Sequence, residues 1–432
     1  MNWEKILRAL ESTRADQCHI AGWQVQATSA EKLSLGIKDR EAGNIHAPLS
    51  LAESSNARYL LIWSDQLISR GLLERQQAPD ESFGESRAAA YADPDGAHVL
   101  GPAEFPELKL YDESVAKVAL GETAPIAERL DRVRGRIDAA PSLVKSWSGS
   151  FSASRSESRL RTSAGLDVAS RGTSTGWYVS LNGEVGDGYG ARRFETIEEF
   201  DQRLDALTET ARAVEDDSDA DRSGELNVLL HPRVVEGYVL STLYQNLDGA
   251  AVAHEEGAFE LKQFGDDDPV LRDDIQLSID PWRPYHSGSY RFTGFGLPSA
   301  PCEYVRDGRL VQPILDVKYG RRLGLPPTPV PFGSDTVEFG SAQRLGYAEA
   351  LERADVMVLS VLGIHTQDRV SGDFSLSAPL SLAVASGGFE GRLRGTISGN
   401  LWQLLRASET TFVEMPLEHS PAMLVRCRFD RS

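Results

Sequence analysis

The chain has 432 residues, 41% of them hydrophobic and 25% charged, and a formal net charge of −19. This is enough apolar chain for about two or three folded domains, and the acidity excludes a protein that grips nucleic-acid phosphates with a broad basic face. Three scattered cysteines, Cys18, Cys302 and Cys427, form no disulfide framework and suit a reducing compartment. MNWEKILRALES lacks the apolar stretch of a signal peptide, and no apolar run reaches the roughly 18 residues of a membrane span. A cytoplasmic protein, with no membrane and no direct nucleic-acid partner, is expected.

In chain order, Trp3, Ile6, Leu7 and Leu10 recur at helical spacing and predict an amphipathic helix over 2–12. QCHIAGWQVQAT and EKLSLGIKD alternate like two adjacent strands, with Leu33, Leu35 and Ile37 on one face, and ARYLLIWS is a further strand. Residues 78–123, rich in Pro, Gly, Asp and Glu, read as loops with one short helix. APIAERLDRVRGRIDAA is a helix with Pro125 near its start and Ile126, Leu130, Val133 and Ile137 on one face. Residues 144–195 turn to strand character. TIEEFDQRLDALTETARAV is the strongest helix, and Thr196 and Glu199 have the spacing of a capping box.

EDDSDADRSGE, residues 215–225, is acidic and without apolar anchors, which predicts a solvated linker. It divides the chain into 1–214 and 226–432. The second part starts with a helix near 232–247, stopped by Gly249, and continues as many short strands with Gly and Pro turns, the pattern of a barrel or sandwich. The expected fold class is α+β: an N-terminal mixed α/β domain followed by a C-terminal β-rich, barrel-like domain.

The chemistry-bearing residues are sparse. His254-Glu255-Glu256 looks like half of a zinc-protease motif, which needs a second His about one turn away so that two imidazoles converge on one ion. Residues 257–262 supply none, and with Gly249 read as a helix stop the triplet is expected on a loop or strand edge. The eight histidines are dispersed, so a metal site must draw on distant segments. His365 follows a buried apolar strand and precedes a polar hairpin with Asp373 and Ser375. A strand end of this kind suits binding residues, and equally suits Thr366 and Asp373 bonding within the turn. Cys302 has no neighbouring base. SGSYRFTGFGLP and GGFEGRLRG lack the strand-to-helix setting of a phosphate loop, and no G-x-S-x-G elbow occurs.

VLLHPRVVEGYVLSTLY, then LSIDPWRPYHSGSYRFTGFGLPSAPCEYVRDGRLVQPILDVKYGRRLGL, then LGIHTQDRVSGDFSLSA and LRGTISGNLWQLL resemble, in order and spacing, the TldD/PmbA family of DNA-gyrase modulators and metallopeptidases. The resemblance covers 226–432 and is looser before it. It implies two branches: TldD-like chains with a His-Glu-x-x-x-His helix and a C-terminal Cys that hold a catalytic metal, and PmbA-like (TldE) chains that lack these residues and pair with a TldD-like chain. Carried onto this sequence, the metal positions fall near Leu240, Ser241 and Gln245, and the Cys position near Gly387-Gly388, none suited to zinc. The family's acidic pair after SGSY is replaced by Phe292-Thr293-Gly294-Phe295-Gly296.

The resemblance therefore implies a PmbA-like, non-catalytic or regulatory subunit that needs no cofactor, completes a peptide-binding cavity beside a TldD-like, metal-bearing partner, and holds peptide substrate as an added strand. His365, Thr366, Asp373 and Ser375 are expected to line that cavity. Two alternatives stand beside it: an active hydrolase with zinc held by His365, Asp373 and distant ligands, and a non-proteolytic protein that contacts DNA gyrase.

Overall fold

The structure, a computed structural model, describes residues 2–40, 44–46 and 49–432, with backbone alone at 38–40 and 44–46, so the His46 side chain lies outside it. The first half is built on an antiparallel sheet of nine strands among the described residues. Helix α1 (Trp3–Ser12) precedes it. The long strands are β1 (Cys18–Arg40), β2 (Leu49–Trp63) and β3 (Leu67–Glu74), then, after helix α2 (Ala124–Asp138), β4 (Trp147–Thr162), β5 (Asp167–Leu181) and β6 (Val185–Ala191). Their spatial order is β3-β2-β1-β4-β5-β6.

Residues 18–40, expected as two strands, form one. Ser29-Ala30 between the two halves offers no Gly, Pro, Asn or Asp to turn the chain, and unbroken registers on both sides, Ser29 opposite Ser55 and Glu157, carry the strand through. Helix α3 (Ile197–Ala213) follows with its capping box in place: Thr196 Oγ1 accepts from Glu199 N, and the Glu199 carboxylate accepts from Thr196 N at 2.9 Å.

The second half starts with β7 (Gly224–Leu230), helix α4 (232–247) and helix α5 (Gly249–His254). A four-stranded sheet includes β8 (Gln276–Ile279), β9 (Cys302–Arg306) and β10 (Val337–Gly340). After α6 (Tyr347–Arg353) come β11 (Val356–Leu362), β12 (Asp373–Ala385), β13 (Gly388–Asn400), β14 (Thr411–Glu414) and β15 (Ala422–Arg431). β7 pairs in parallel with β11 and antiparallel with β15, which closes the ring β7-β11-β12-β13-β15 into a five-stranded barrel.

Period-two alternation gives the barrel wall two apolar faces. Val356 and Val358 of β11 point inward with Leu376, Ile397 and Phe429. Met357, with Leu382 of β12 and Leu424 of β15, points outward into a second core shared with Trp177, Phe200 and Leu207 of the first half. One apolar core therefore belongs to both halves.

The acidic segment between them is strapped rather than free. Ser218 is 2% exposed, its N–H donates to Arg392 O at 2.9 Å, and Asp217 pairs with Arg392 Nε at 2.7 Å. Backbone bonding to the β13 edge replaces the apolar anchors that its sequence lacks.

A cleft beside a π-turned helix

Helix α4 is irregular: Pro232–Val234 is α-helical, Val235–Leu240 is π-helical, and Ser241–Leu247 is α-helical. A π turn spends an extra residue per turn and reorients the side chains around it. His231 caps the helix and Pro232 sits at its first position, where its missing N–H costs nothing. His231 Nδ1 accepts from Arg233 N at 3.2 Å, which leaves Nε2 to carry the proton of the neutral ring. Burial, helped by the Arg233 charge, depresses the His231 pKa to about 3, so the ring is uncharged at neutral pH.

The helix ends at Leu247, and Gly249 does not stop it but opens α5. Asp248 caps the new helix by accepting from Ala250 N at 2.9 Å. His254, expected on a loop or strand edge, is the last residue of α5. Glu255 behind it turns left-handed at φ +56, and the whole triplet is exposed.

Arg233, Gly237, Ser241 and Gln245 lie four apart along the outer ridge of α4. All are exposed except Ser241, which is half-buried. The turn from Val361 to Ser375 faces this helix. A Cβ on Gly237 would lie 3.7 Å from Ile364, and Asn246 Nδ2 donates to Arg369 O at 3.0 Å. His365 and Thr366 occupy a 3₁₀ turn, Ile364–Thr366, and Asp373 and Ser375 open β12. All four are exposed.

The turn is bonded within itself. Thr366 Oγ1 donates to Gly363 O at 2.9 Å, and Asp373 Oδ1 accepts from Asn400 Nδ2 at 2.8 Å. Gln367 gathers the rest: its amide donates to Gly363 O (2.8 Å) and Thr366 Oγ1 (3.1 Å) and accepts from Ser375 N (2.8 Å). It thereby occupies the backbone donor that a strand added at this end of β12 would use. Thr366 and Ser375 are brought together through Gln367. His365 makes no hydrogen bond among the described residues.

One end of α4 opens into a cavity of about 860 Å³ between the halves, walled by β6 and α3 on one side and by β11, β12 and the 415–418 loop on the other. At its charged end Arg203 of α3 lies 3.7 Å from Asp187 and 3.8 Å from Glu418, and it donates to Leu417 O. Arg233 pairs with Asp187 and donates to Gly186 O. Burial raises the Glu418 carboxyl pKa to about 6 despite the Arg203 charge.

A second cavity of about 660 Å³ shares Arg203, Arg233, Leu417 and Glu418 with the first. There the His286 and His419 rings meet at 5.2 Å, and His286 Nδ1 lies 3.5 Å from Asp335, which also accepts from Ser287 Oγ at 2.9 Å. Burial pushes the His286 pKa down. Among the described residues, no group of three or more His, Cys, Asp or Glu side chains is arranged to hold a metal ion.

Compared with known families, residues 113–217 match the PmbA/TldA metallopeptidase central domain and residues 223–426 match its C-terminal domain. The chain belongs to the TldD/PmbA family. The fold is that of TldE from Thermococcus kodakarensis (TM-score 0.74, 15% identity, 95% of this chain and 97% of that one). It is likewise that of a Bacteroides thetaiotaomicron protein described as a modulator of DNA gyrase (TM-score 0.77, 14% identity, 99% and 98%) and of a Thermotoga maritima protein so described (TM-score 0.72, 18% identity, 94% and 96%). No curated protein sequence matches it.

At the positions onto which the family's metal ligands would fall stand an apolar side chain, a hydroxyl and an amide. Leu240 is 2% exposed in the barrel-side core. Ser241 Oγ donates to the carbonyls of Gly237 (2.6 Å) and Tyr238 (3.1 Å), and Gln245 is an exposed amide. Gly387 and Gly388 make the β12–β13 hairpin, where Ser386 (φ +51) and Gly387 (φ +75) take the left-handed pair of a type I′ turn. The Phe292–Gly296 segment in place of the family's acidic pair clasps the first half: Phe292 packs with Leu160 and Leu166, and Gly294 O accepts from Gln24 Nε2 at 2.7 Å.

His231, Arg203, Arg233, Gln367 and Glu418 went unassigned in the sequence. His-Pro before a periodic helix is a readable cap. Arg203 was visible as a charge inside the apolar stripe Phe200–Leu204–Leu207. Gln367 and Glu418 carry no local signal.

Proposed function

We propose that this chain is a non-catalytic subunit of a TldD/PmbA-type peptidase. It completes and supports a peptide-binding cavity, and a TldD-like partner carries the metal. The observation that carries the reading is the donor set on α4. Leu240 has no donor atom and is packed in the core, Ser241 spends its hydroxyl on the preceding helical turn, and Gln245 is a single neutral amide. Such a set gives a catalytic zinc neither imidazole nor carboxylate. His365 and Asp373 do not repair it, because among the described residues no third His, Cys, Asp or Glu is grouped with them. In this reading the α4 ridge and the His365–Ser375 turn face the shared cavity, and His365, with no bond of its own among the described residues, is the turn side chain free to meet peptide. The proposed place of action is the cytoplasm. No helix among the described residues is long and apolar enough to cross a membrane.

The test is co-expression with a TldD-like chain from the same source, followed by size-exclusion chromatography and a peptidase assay. The reading predicts a mixed complex whose activity is lost when the partner's His-Glu-x-x-x-His is mutated and retained in His365→Ala with a raised KM. Failure of the two chains to associate, or peptidase activity from this chain alone, contradicts it.

A further inference from the structure

We propose that the cavity between the halves recognises side chains: it takes a peptide segment in which bulky apolar residues are flanked by lysine or arginine. Three observations carry this. First, the outward apolar stripe of the barrel wall runs past the helix that covers it. Met357 and Leu382 are buried under the first half, but Leu359 and Leu380, next along the same strands, are only half-buried and face the cavity. About 860 Å³ is within the range of sites that engulf several apolar groups. Second, its rim is acidic. Glu184, Asp187, Asp205, Glu209 and Glu418 line it; Arg392 reaches Glu184 at 2.8 Å and Arg136 reaches Asp205 at 3.1 Å, so with Arg203 and Arg233 five carboxylates face four guanidiniums and one negative charge is left over among the described residues. Arg203 and Arg233 are already held by Asp187 and Glu418, His231 is neutral, and Glu209 forms no ion pair among the described residues. A cation entering here meets the unpaired Glu209 carboxylate at the mouth of a partly enclosed space, where screening is weaker than in bulk water.

Third, the nearest sheet edge is capped. On β6, Gly186 O is held by Arg233 and Gly188 N–H donates to Asp187 Oδ1 at 2.7 Å. A ligand in this cavity therefore finds main-chain positions of the edge occupied and is selected by its side chains. The inference does not depend on the subunit reading, because it concerns binding by this chain alone.

Fluorescence anisotropy on the full chain, with short labelled peptides of matched length, tests it. A lysine-flanked leucine/phenylalanine peptide is expected to bind about tenfold or more tighter than its glutamate-flanked counterpart and than a lysine-flanked serine peptide, and to weaken as salt rises. Glu209→Lys, on the exposed rim, is expected to weaken it several-fold. Ala206→Trp, on the exposed face of α3 at the mouth, is expected to abolish it by filling the cavity. Both positions are surface sites of a helix, so folding is checked by circular dichroism and is expected to be retained. Equal binding of acidic and basic peptides, insensitivity to both variants, or no binding overturns the inference. So does a dimer of this chain that Ala206→Trp dissociates, which would give the cavity to a second copy. Loss of partner association in the earlier test leaves these titrations intact.

Discussion

Glu418 is the residue at which burial and charge most openly oppose each other. Its carboxylate sits in the wall of both cavities, 3.8 Å from Arg203, yet burial outweighs that attraction and lifts its pKa to about 6 from 4.5. A carboxyl whose folded pKa is raised binds its proton more tightly in the folded state. Its contribution to stability is therefore fully present below about pH 4.5 and is lost as pH rises through about 6. The loss amounts to about 2 kcal/mol at neutral pH. Glu418→Gln, which cannot ionise, is expected to gain about that much relative to the wild type between pH 4.5 and pH 7.5, measured as the difference of urea unfolding free energies at the two values. An offset equal at both values would mean that Glu418 ionises freely. None of this was legible from PLEHS, because Glu418 is buried only where the two halves meet, and the Arg203 that faces it lies more than two hundred residues earlier.

At the scale of elements, the sequence was most informative where structure is local. Helices α1 and α2 and the capping box at Thr196 follow from spacing and cap chemistry alone. It was least informative where a long-range partner decides: the continuity of β1 rests on β2 and β4, and the barrel is closed by β7 lying along β15, Gly224 opposite Phe429. Gly249 misled because a glycine after a helix is a usual stop, and here Asp248 restarts the chain as α5.

The turn that carries the expected site residues rests on Gly372. Its φ is +78, and a Cβ there would lie 2.5 Å from the Trp402 ring, whose Nε1 donates to Val370 O at 2.9 Å. Gly372→Ala is expected to cost about 2–3 kcal/mol, from a strained backbone together with a displaced core indole. A shift in the urea midpoint, with unchanged far-ultraviolet circular dichroism in the native baseline, would register it. An unchanged midpoint would show that the turn yields freely.

The molecule as a whole is joined by its shared core. Phe200 and Leu207 of the first half pack in one cluster with Met357, Leu382 and Leu424 of the barrel's outer face, and the Asp217–Arg392 strap and the Arg203–Leu417 bond cross the same boundary. An interface that is a core cannot be exposed cheaply, so the chain is expected to unfold in one calorimetric transition. Leu382→Ala should lower that transition as a unit, by about 2–5 kcal/mol. Two separated transitions, with only the later one moved, would show independent halves. The overall α+β plan and its barrel-like second half were legible in strand and turn patterning. The candidate cleft was not, because it exists only where the two halves meet.

A non-catalytic subunit of the kind proposed holds no catalytic metal on its own α4 scaffold. Elemental analysis tests this most directly, on the chain purified without chelator and then dialysed after incubation with excess zinc, alone and in complex with a TldD-like partner. Near-zero metal per chain alone and about one ion per pair in the complex are expected. About one tightly held ion per chain in the absence of any partner would contradict it.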